Sequence, residues 1–175
     1  MIVSLDQSLS NTGFAKWRPG EGSIESGALP LCGGVPERRH GFLELWRLLD
    51  AWHKGEAITA ICHEEPISGP ADKTPTRIAL FGLVAIVELF SVSRSIPVFG
   101  YDSRNWRGTF FSKEERAFAS GERWKRLAVE RCRQLGFDPA THDEAKAIGI
   151  LDHHLHRMKV APPWREANPF LPVLG

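Results

Sequence analysis

Cysteine is scarce in this 175-residue chain: Cys32, Cys62 and Cys132 are odd in number, far apart and form no CxxC pair. That excludes a disulfide scaffold and a cysteine zinc site, and it suits separate thiols in a reducing cytoplasm. Long apolar runs are also missing. The longest, Ile78 to Phe90, is interrupted by Gly82 and Glu88, so no membrane span and no membrane partner are expected. No cationic stretch leads into an apolar one at the start, where Asp6 comes too early for a secretory signal. Charge of one sign does not dominate either, since the formal net charge is +1. What is present, 42% hydrophobic and 25% charged residues, describes one ordinary soluble domain with enough apolar material for a core, and excludes disorder.

Charge is unevenly placed. Between Ser103 and Arg133 stand nine basic residues (Arg104, Arg107, Lys113, Arg116, Arg123, Lys125, Arg126, Arg131, Arg133) against four acidic ones (Glu114, Glu115, Glu122, Glu130). Such an excess could form the footprint of a polyanion. A solvated helix laced with ion pairs accounts for the same pattern.

The apolar run Met1 to Leu5 reads as a buried strand closed by Asp6. Thr12 to Trp17 and Ser23 to Leu29 flank Pro19-Gly20-Glu21-Gly22 as a hairpin. Phe42, Leu45, Trp46, Leu49 and Trp52 give one stripe to a helix over Pro36 to His53. A strand over Ala57 to His63 ends in Glu64-Glu65-Pro66, and Thr76 to Ser93 is a helix apolar on most of its circumference, suited to a core or a subunit interface. Ile96 to Tyr101 is a fifth strand. Lys113 to Leu135 is helical, with a break near Ser120-Gly121 and Gly136 as its end cap. Thr141-His142-Asp143-Glu144 has the spacing of a capping box for the last helix. The order β-β-β-α-β-α-β-α-α predicts an α/β mixed sheet covered by helices. One domain over 1–160 is expected, with a Pro-rich extended tail or clasp over 161–175.

Three carboxylates fall at element ends: Asp6, Glu64 and Asp143. If the first and fourth strands are neighbours, their tips meet, and the last helix can add the third acid. Acids sharing Mg²⁺ ions activate a water and stabilise the leaving oxygen in phosphodiester cleavage. Each also has a plainer role: Asp6 as a turn cap, Glu64 as a solvated strand end, Asp143 as a helix acid favoured by the dipole.

Ser4-Leu5-Asp6-Gln7-Ser8-Leu9-Ser10-Asn11-Thr12-Gly13-Phe14-Ala15 resembles the opening strand-turn-strand of RuvC-like Holliday junction resolvases of bacteria and phages. Ile61-Cys62-His63-Glu64-Glu65-Pro66 resembles that family's fourth strand, and His142-Asp143-Glu144-Ala145-Lys146-Ala147-Ile148-Gly149 its final helix. The resemblance covers roughly residues 2 to 155. It implies an RNase H-like five-stranded mixed sheet flanked by helices. It also implies a homodimer that cuts four-way junctions or other branched DNA in recombination and repair, using Mg²⁺ or Mn²⁺. By motif, Asp6, Glu64 and Asp143 are the metal ligands; Glu65 would face the other side of the strand. Lys146 stands where the family usually has a fourth carboxylate, so Asp6, Glu64, Asp143 and Lys146 form the candidate catalytic set. Three outcomes stay open: an active enzyme with an altered site, a junction-binding protein that does not cut, or an inactivated variant. An actin-like ATPase of related fold is disfavoured, because Gln7-Ser8-Leu9-Ser10-Asn11 has no glycine-rich phosphate turn.

For DNA, Arg104, Arg107 and Lys113 are expected to bind phosphates, with Trp106 and Phe110 stacking on unpaired bases. Lys73 and Arg77 are expected to line the duplex from the loop after Glu64. The alternative for Trp106, Phe110 and Phe111 is a place in the core beneath a loop. His153, His154 and His156 spread over different helix faces and read as packing or solvated residues. His63 and His142 sit beside proposed ligands and could pass a proton.

Overall fold

The computed structural model describes residues 1–66 and 74–166. Five strands, β1 (Ile2–Asp6), β2 (Thr12–Trp17), β3 (Ile24–Leu29), β4 (Ala60–Glu64) and β5 (Val98–Tyr101), form one sheet in the order β3-β2-β1-β4-β5. The β1-β2 and β2-β3 pairs are antiparallel, and the β1-β4 and β4-β5 pairs parallel. The helices are α1 (Arg38–Gly55), α2 (Thr74–Arg94), α3 (Ser103–Phe110), α4 (Lys113–Ala117), α5 (Glu122–Gln134), α6 (His142–Arg157) and α7 (Pro163–Glu166).

The strand period of two sorts side chains into two cores. Val3, Leu5 and Ile61 face Leu45, Leu49, Leu83, Val87 and Phe90 of α1 and α2. On the other face Ala15, Trp17 and Cys62 meet Trp106, Phe110, Leu127, Ile148, Leu151 and Leu155. Asp6 and Glu64 therefore fall on the α6 side, in step with Ser4, whose hydroxyl donates to the carbonyl of Ala147 at 2.7 Å.

The structure departs from the sequence reading in several places. Ser103 to Phe110, to which the sequence reading assigns no element, is helix α3, capped by the Asp102 carboxylate on the Arg104 N–H. The break near Ser120-Gly121 is real and separates α4 from α5. Gly136, at φ +90°, ends α5 as expected: the Phe137 N–H reaches the Cys132 carbonyl and the Gly136 N–H that of Arg133. The expected capping box of α6 is half made. Thr141 accepts from the Glu144 N–H, but the Glu144 carboxylate takes the Ala140 N–H and the Ser26 hydroxyl.

Of the stretch expected as an extended tail or clasp, Pro163–Glu166 is instead the short helix α7, and residues 167–175 lie outside the described residues. Trp164 enters the core, and its indole and the Arg165 guanidinium both bind the buried Asp152. The expectation that no helix is long and apolar enough to cross a membrane needs correction. Helix α2 reaches 21 residues and qualifies by length and composition, because one glycine and one acid, Gly82 and Glu88, do not offset its apolar residues. Its Ala79, Leu83, Val87 and Phe90 face packs on the sheet.

Candidate active site and nucleic-acid interface

Parallel pairing puts Ile2 to Leu5 beside Ala60 to His63 in register, so Asp6 and Glu64 leave the sheet as neighbouring strand tips. Gly13 pairs with Asp6 on the antiparallel side and lets helix α6 approach very closely. A Cβ built there would lie 2.0 Å from the Asp143 carbonyl oxygen. Glycine at this position is what brings the first turn of α6, with Asp143 and Lys146, over the tip of β1.

Lys146 stands between the acids. Its Nζ is 2.5 Å from Asp6 Oδ2 and 3.6 Å from Asp143 Oδ1. Asp143 is further held by Asn11, whose Nδ2 donates to Oδ2 at 2.7 Å, and by His142, whose Nε2 is 3.1 Å from Oδ1. Burial pushes the Asp6 carboxyl up to about 7; the Lys146 charge opposes that shift, and Glu64 and Asp143 add to it. Burial alone would depress Lys146, but Asp6, Glu64 and Asp143 outweigh it and hold the ammonium above its usual range.

A cavity of about 340 Å³ opens beside this cluster, lined by Asp6, Gln7, Glu64, Ser103, Arg107 and Lys146 among others. Asp143 does not line it. Two donors in its wall, Gln7 Nε2 and Arg107 Nε, are buried without a hydrogen-bond partner among the described residues. The wall thus offers the carboxylates of Asp6, Glu64 and Glu65 together with unsatisfied N–H groups. Hard carboxylate oxygens suit a divalent cation with water in its remaining positions, and free N–H groups suit a phosphate oxygen.

That donor set fits one cation held by Asp6 and Glu64. It does not fit the expected three-acid set: among the described residues no three Asp, Glu, His or Cys side chains gather closely enough to hold an ion. Asp143 lies outside the cavity's lining, and Lys146 engages it together with Asp6.

The proposed DNA contacts divide. Trp106 and Phe110 are 1% and 2% exposed and pack against Gly149 of α6, so neither can stack on a base; with Phe111 they are core, because α3 turns its apolar side inward. Arg107, from the same helix, faces the cavity and lies over the rings of Trp106 and Trp124. Arg104 is exposed and paired with Asp102, while Lys113 and Arg77 are exposed on the first turns of α4 and α2. Lys73 lies outside the described residues. His63 points to the opposite face of the sheet, lining a groove with Phe81 and Glu88, and burial lowers its pKa. His142 touches Asp143.

A second cavity, about 970 Å³, was missed as a site. Lys125, Arg126 and Arg133 of α5 line it with Asn11 and His142, so it adjoins the acidic cluster through the two residues that hold Asp143. The basic excess between Ser103 and Arg133 was its signal in the sequence. The excess is partly spent: Arg131 pairs with Glu115, Lys125 with Glu122 and Arg133 with Asp138.

No family model matches the chain, and no curated protein matches its sequence. Solved structures do match. Thermus thermophilus RuvC in complex with a Holliday junction substrate superposes with a TM-score of 0.65 at 12% identity, covering 92% of this chain and 98% of that one. The chain has the RuvC fold. A second Thermus thermophilus RuvC structure gives 0.60 at 16% identity over 91% and 97%. The yeast mitochondrial Holliday junction resolvase Ydc2 gives 0.56 at 10% identity over 97% and 82%. The RuvC fold is thus spanned almost end to end, which confirms the RNase H-like architecture expected from the three motifs.

Proposed function

We propose that this protein is a divalent-metal-dependent endonuclease that cuts four-way junctions or other branched DNA. The observation that carries the reading is the cavity itself. In a chain with the RuvC fold, Asp6 and Glu64 leave adjacent parallel strands and line one cavity with the unsatisfied N–H groups of Gln7 and Arg107. Asp6 and Glu64 would hold Mg²⁺ or Mn²⁺, which when bound supplies an activated water and polarises a phosphoryl oxygen. Arg107 and Gln7 would donate to the non-bridging oxygens of the scissile phosphate. Asn11, His142 and Lys146 fix Asp143 and so set the first turn of α6 against the cavity.

Arg77, Arg104 and Lys113, with Lys125 and Arg126 of the α5 groove, would contact phosphates on either side. The exposed Ile78, Phe81, Leu89 and Val92 on the outer face of α2 suit a homodimer, and the thiols a cytoplasmic setting. One observation favours a second reading, a junction-binding protein without cleavage: Lys146 already engages two of the expected ligands.

A labelled four-way junction incubated with the protein over a Mg²⁺ and Mn²⁺ titration separates the two. Metal-dependent nicking near the branch point is the expected result. A retained but uncut complex at every metal concentration would overturn the nuclease and support the binder.

A further inference from the structure

Lys146 bridges carboxylates that come from two different elements, Asp6 on β1 and Asp143 on α6. We propose that its ammonium is a resident counter-ion, standing where a two-cation centre would hold its second ion, so that the centre takes up one divalent cation per chain. The proposal rests on the nuclease reading above and deepens it.

Three features support this. The first is position. The ammonium is in direct contact with Asp6 and within ion-pair range of Asp143, which is the bridging place a shared ion takes between two acids. The second is charge. With every carboxylate ionised, Asp6, Glu64, Glu65 and Asp143 against Lys146 and Arg107 leave two net negative charges, which a single divalent cation neutralises. Two such cations would leave the pocket positive before any phosphate arrived. The third is the state of the oxygens. Asp143 has both oxygens engaged, by Asn11 on one side and by His142 and Lys146 on the other. Glu64 lines the cavity with no hydrogen bond or ion pair to its carboxylate among the described residues. Asp6 and Glu64 would therefore hold a divalent cation, while Asp143 is already occupied. Lys146 acts through these carboxylates, as a positioning residue.

The test is Mn²⁺ binding in the absence of DNA, read as the loss of the free-ion electron paramagnetic resonance signal, on the whole protein and on Lys146→Asp, Lys146→Arg and Lys146→Gln. The expected result is one Mn²⁺ per chain for the wild type and for Lys146→Arg, and two for Lys146→Asp. Thermal melts in chelator provide a readout that does not depend on activity. The wild type should melt alike in chelator and in Mn²⁺-free buffer. Lys146→Gln should melt several degrees lower in chelator and recover with Mn²⁺, because its acids then lack any cation. Two ions bound by both wild type and Lys146→Asp would overturn the role of Lys146 and leave the nuclease reading intact. No Mn²⁺ bound by either would overturn both. A Lys146→Gln protein that melts like the wild type in chelator would also overturn the counter-ion role.

Discussion

Replacing Gly13 by alanine should damage the site more than any other single methyl group. Gly13 pairs with Asp6, and its added Cβ would fall 2.0 Å from the Asp143 carbonyl oxygen, 2.3 Å from its carbon and 2.8 Å from the Glu144 nitrogen. All three are backbone atoms, so no rotamer change relieves the clash. Reaching ordinary contact requires β2 and the start of α6 to part by roughly 1.5 Å. That movement would carry Asp143 and Lys146 away from Asp6 and break the 2.5 Å contact. Overpacking of this kind costs about 3 kcal/mol, a fall in melting temperature of roughly 6–12 °C for a domain of this size. A displacement of about 1 Å at a reacting centre costs on the order of 100-fold in rate. Melting curves and junction nicking below the new melting temperature measure the two effects separately. Gly149→Ala is the control. Its Cβ would meet first the rings of Trp106 and Phe110, at 3.0 and 3.1 Å. Those rings need shift by only a few tenths of an ångström, a cost that the roughly 1 kcal/mol the helix gains from alanine offsets. Its nicking should stay within a few-fold of wild type. A Gly13→Ala protein that melts within 2 °C of wild type and nicks at full rate would refute the close-approach argument.

Trp164→Ala should cost about 3–5 kcal/mol, since the indole is buried against Trp17 and Phe137 and donates to Asp152; an unchanged melt would show the α7 contact to be decorative. Lys125→Ala with Arg126→Ala should weaken junction binding and lower the slope of log affinity against log salt by roughly 1–2, measured by anisotropy; an unchanged slope would remove the α5 groove from the DNA path. Acid should destabilise the fold through His153. Chiefly by burial, then by the charges of Arg157 and His156, its pKa is lowered from 6.5 to about 4. The unfolded chain then binds the proton first, and stability present above pH 6.5 is lost as pH falls toward 4. Asp6, raised to about 7, has the opposite slope in the same window, so the readout is wild type minus His153→Gln. We expect a difference of about 1–2 kcal/mol between pH 7.5 and pH 5 after solvent screening; no difference would contradict the buried neutral histidine.

Much of this was legible in residue order. Periodicity gave the five strands and the long helices, and the polar ends of two apolar runs located Asp6 and Glu64. The alternation of strand faces favoured Glu64 over Glu65, but β4 ends at Glu64 and both side chains line the cavity. Where the sequence misled, the cause was tertiary. Arg104, Trp106 and Arg107 stand close together in the chain, yet helix α3 sends Trp106 into the core and leaves Arg107 at the cavity. No local pattern distinguishes an aromatic that stacks on a base from one that packs on Gly149. Lys146 was visible as an oddity, but its bond to Asp6 depends on how closely α6 approaches β1, which Gly13 sets from a third element. Gln7 carried no signal at all, because an unsatisfied amide in a cavity wall is a property of packing.

The central claim is that Asp6 sits at a metal-dependent cleavage centre, and Asp6→Asn tests it most directly. The substitution keeps the shape and removes the charge that binds a cation. Measured on one labelled four-way junction in saturating Mn²⁺, the variant should lose nicking by at least about 100-fold, about 2.7 kcal/mol in the barrier, while its junction affinity stays within a few-fold of wild type. Nicking at the wild-type rate would contradict the account.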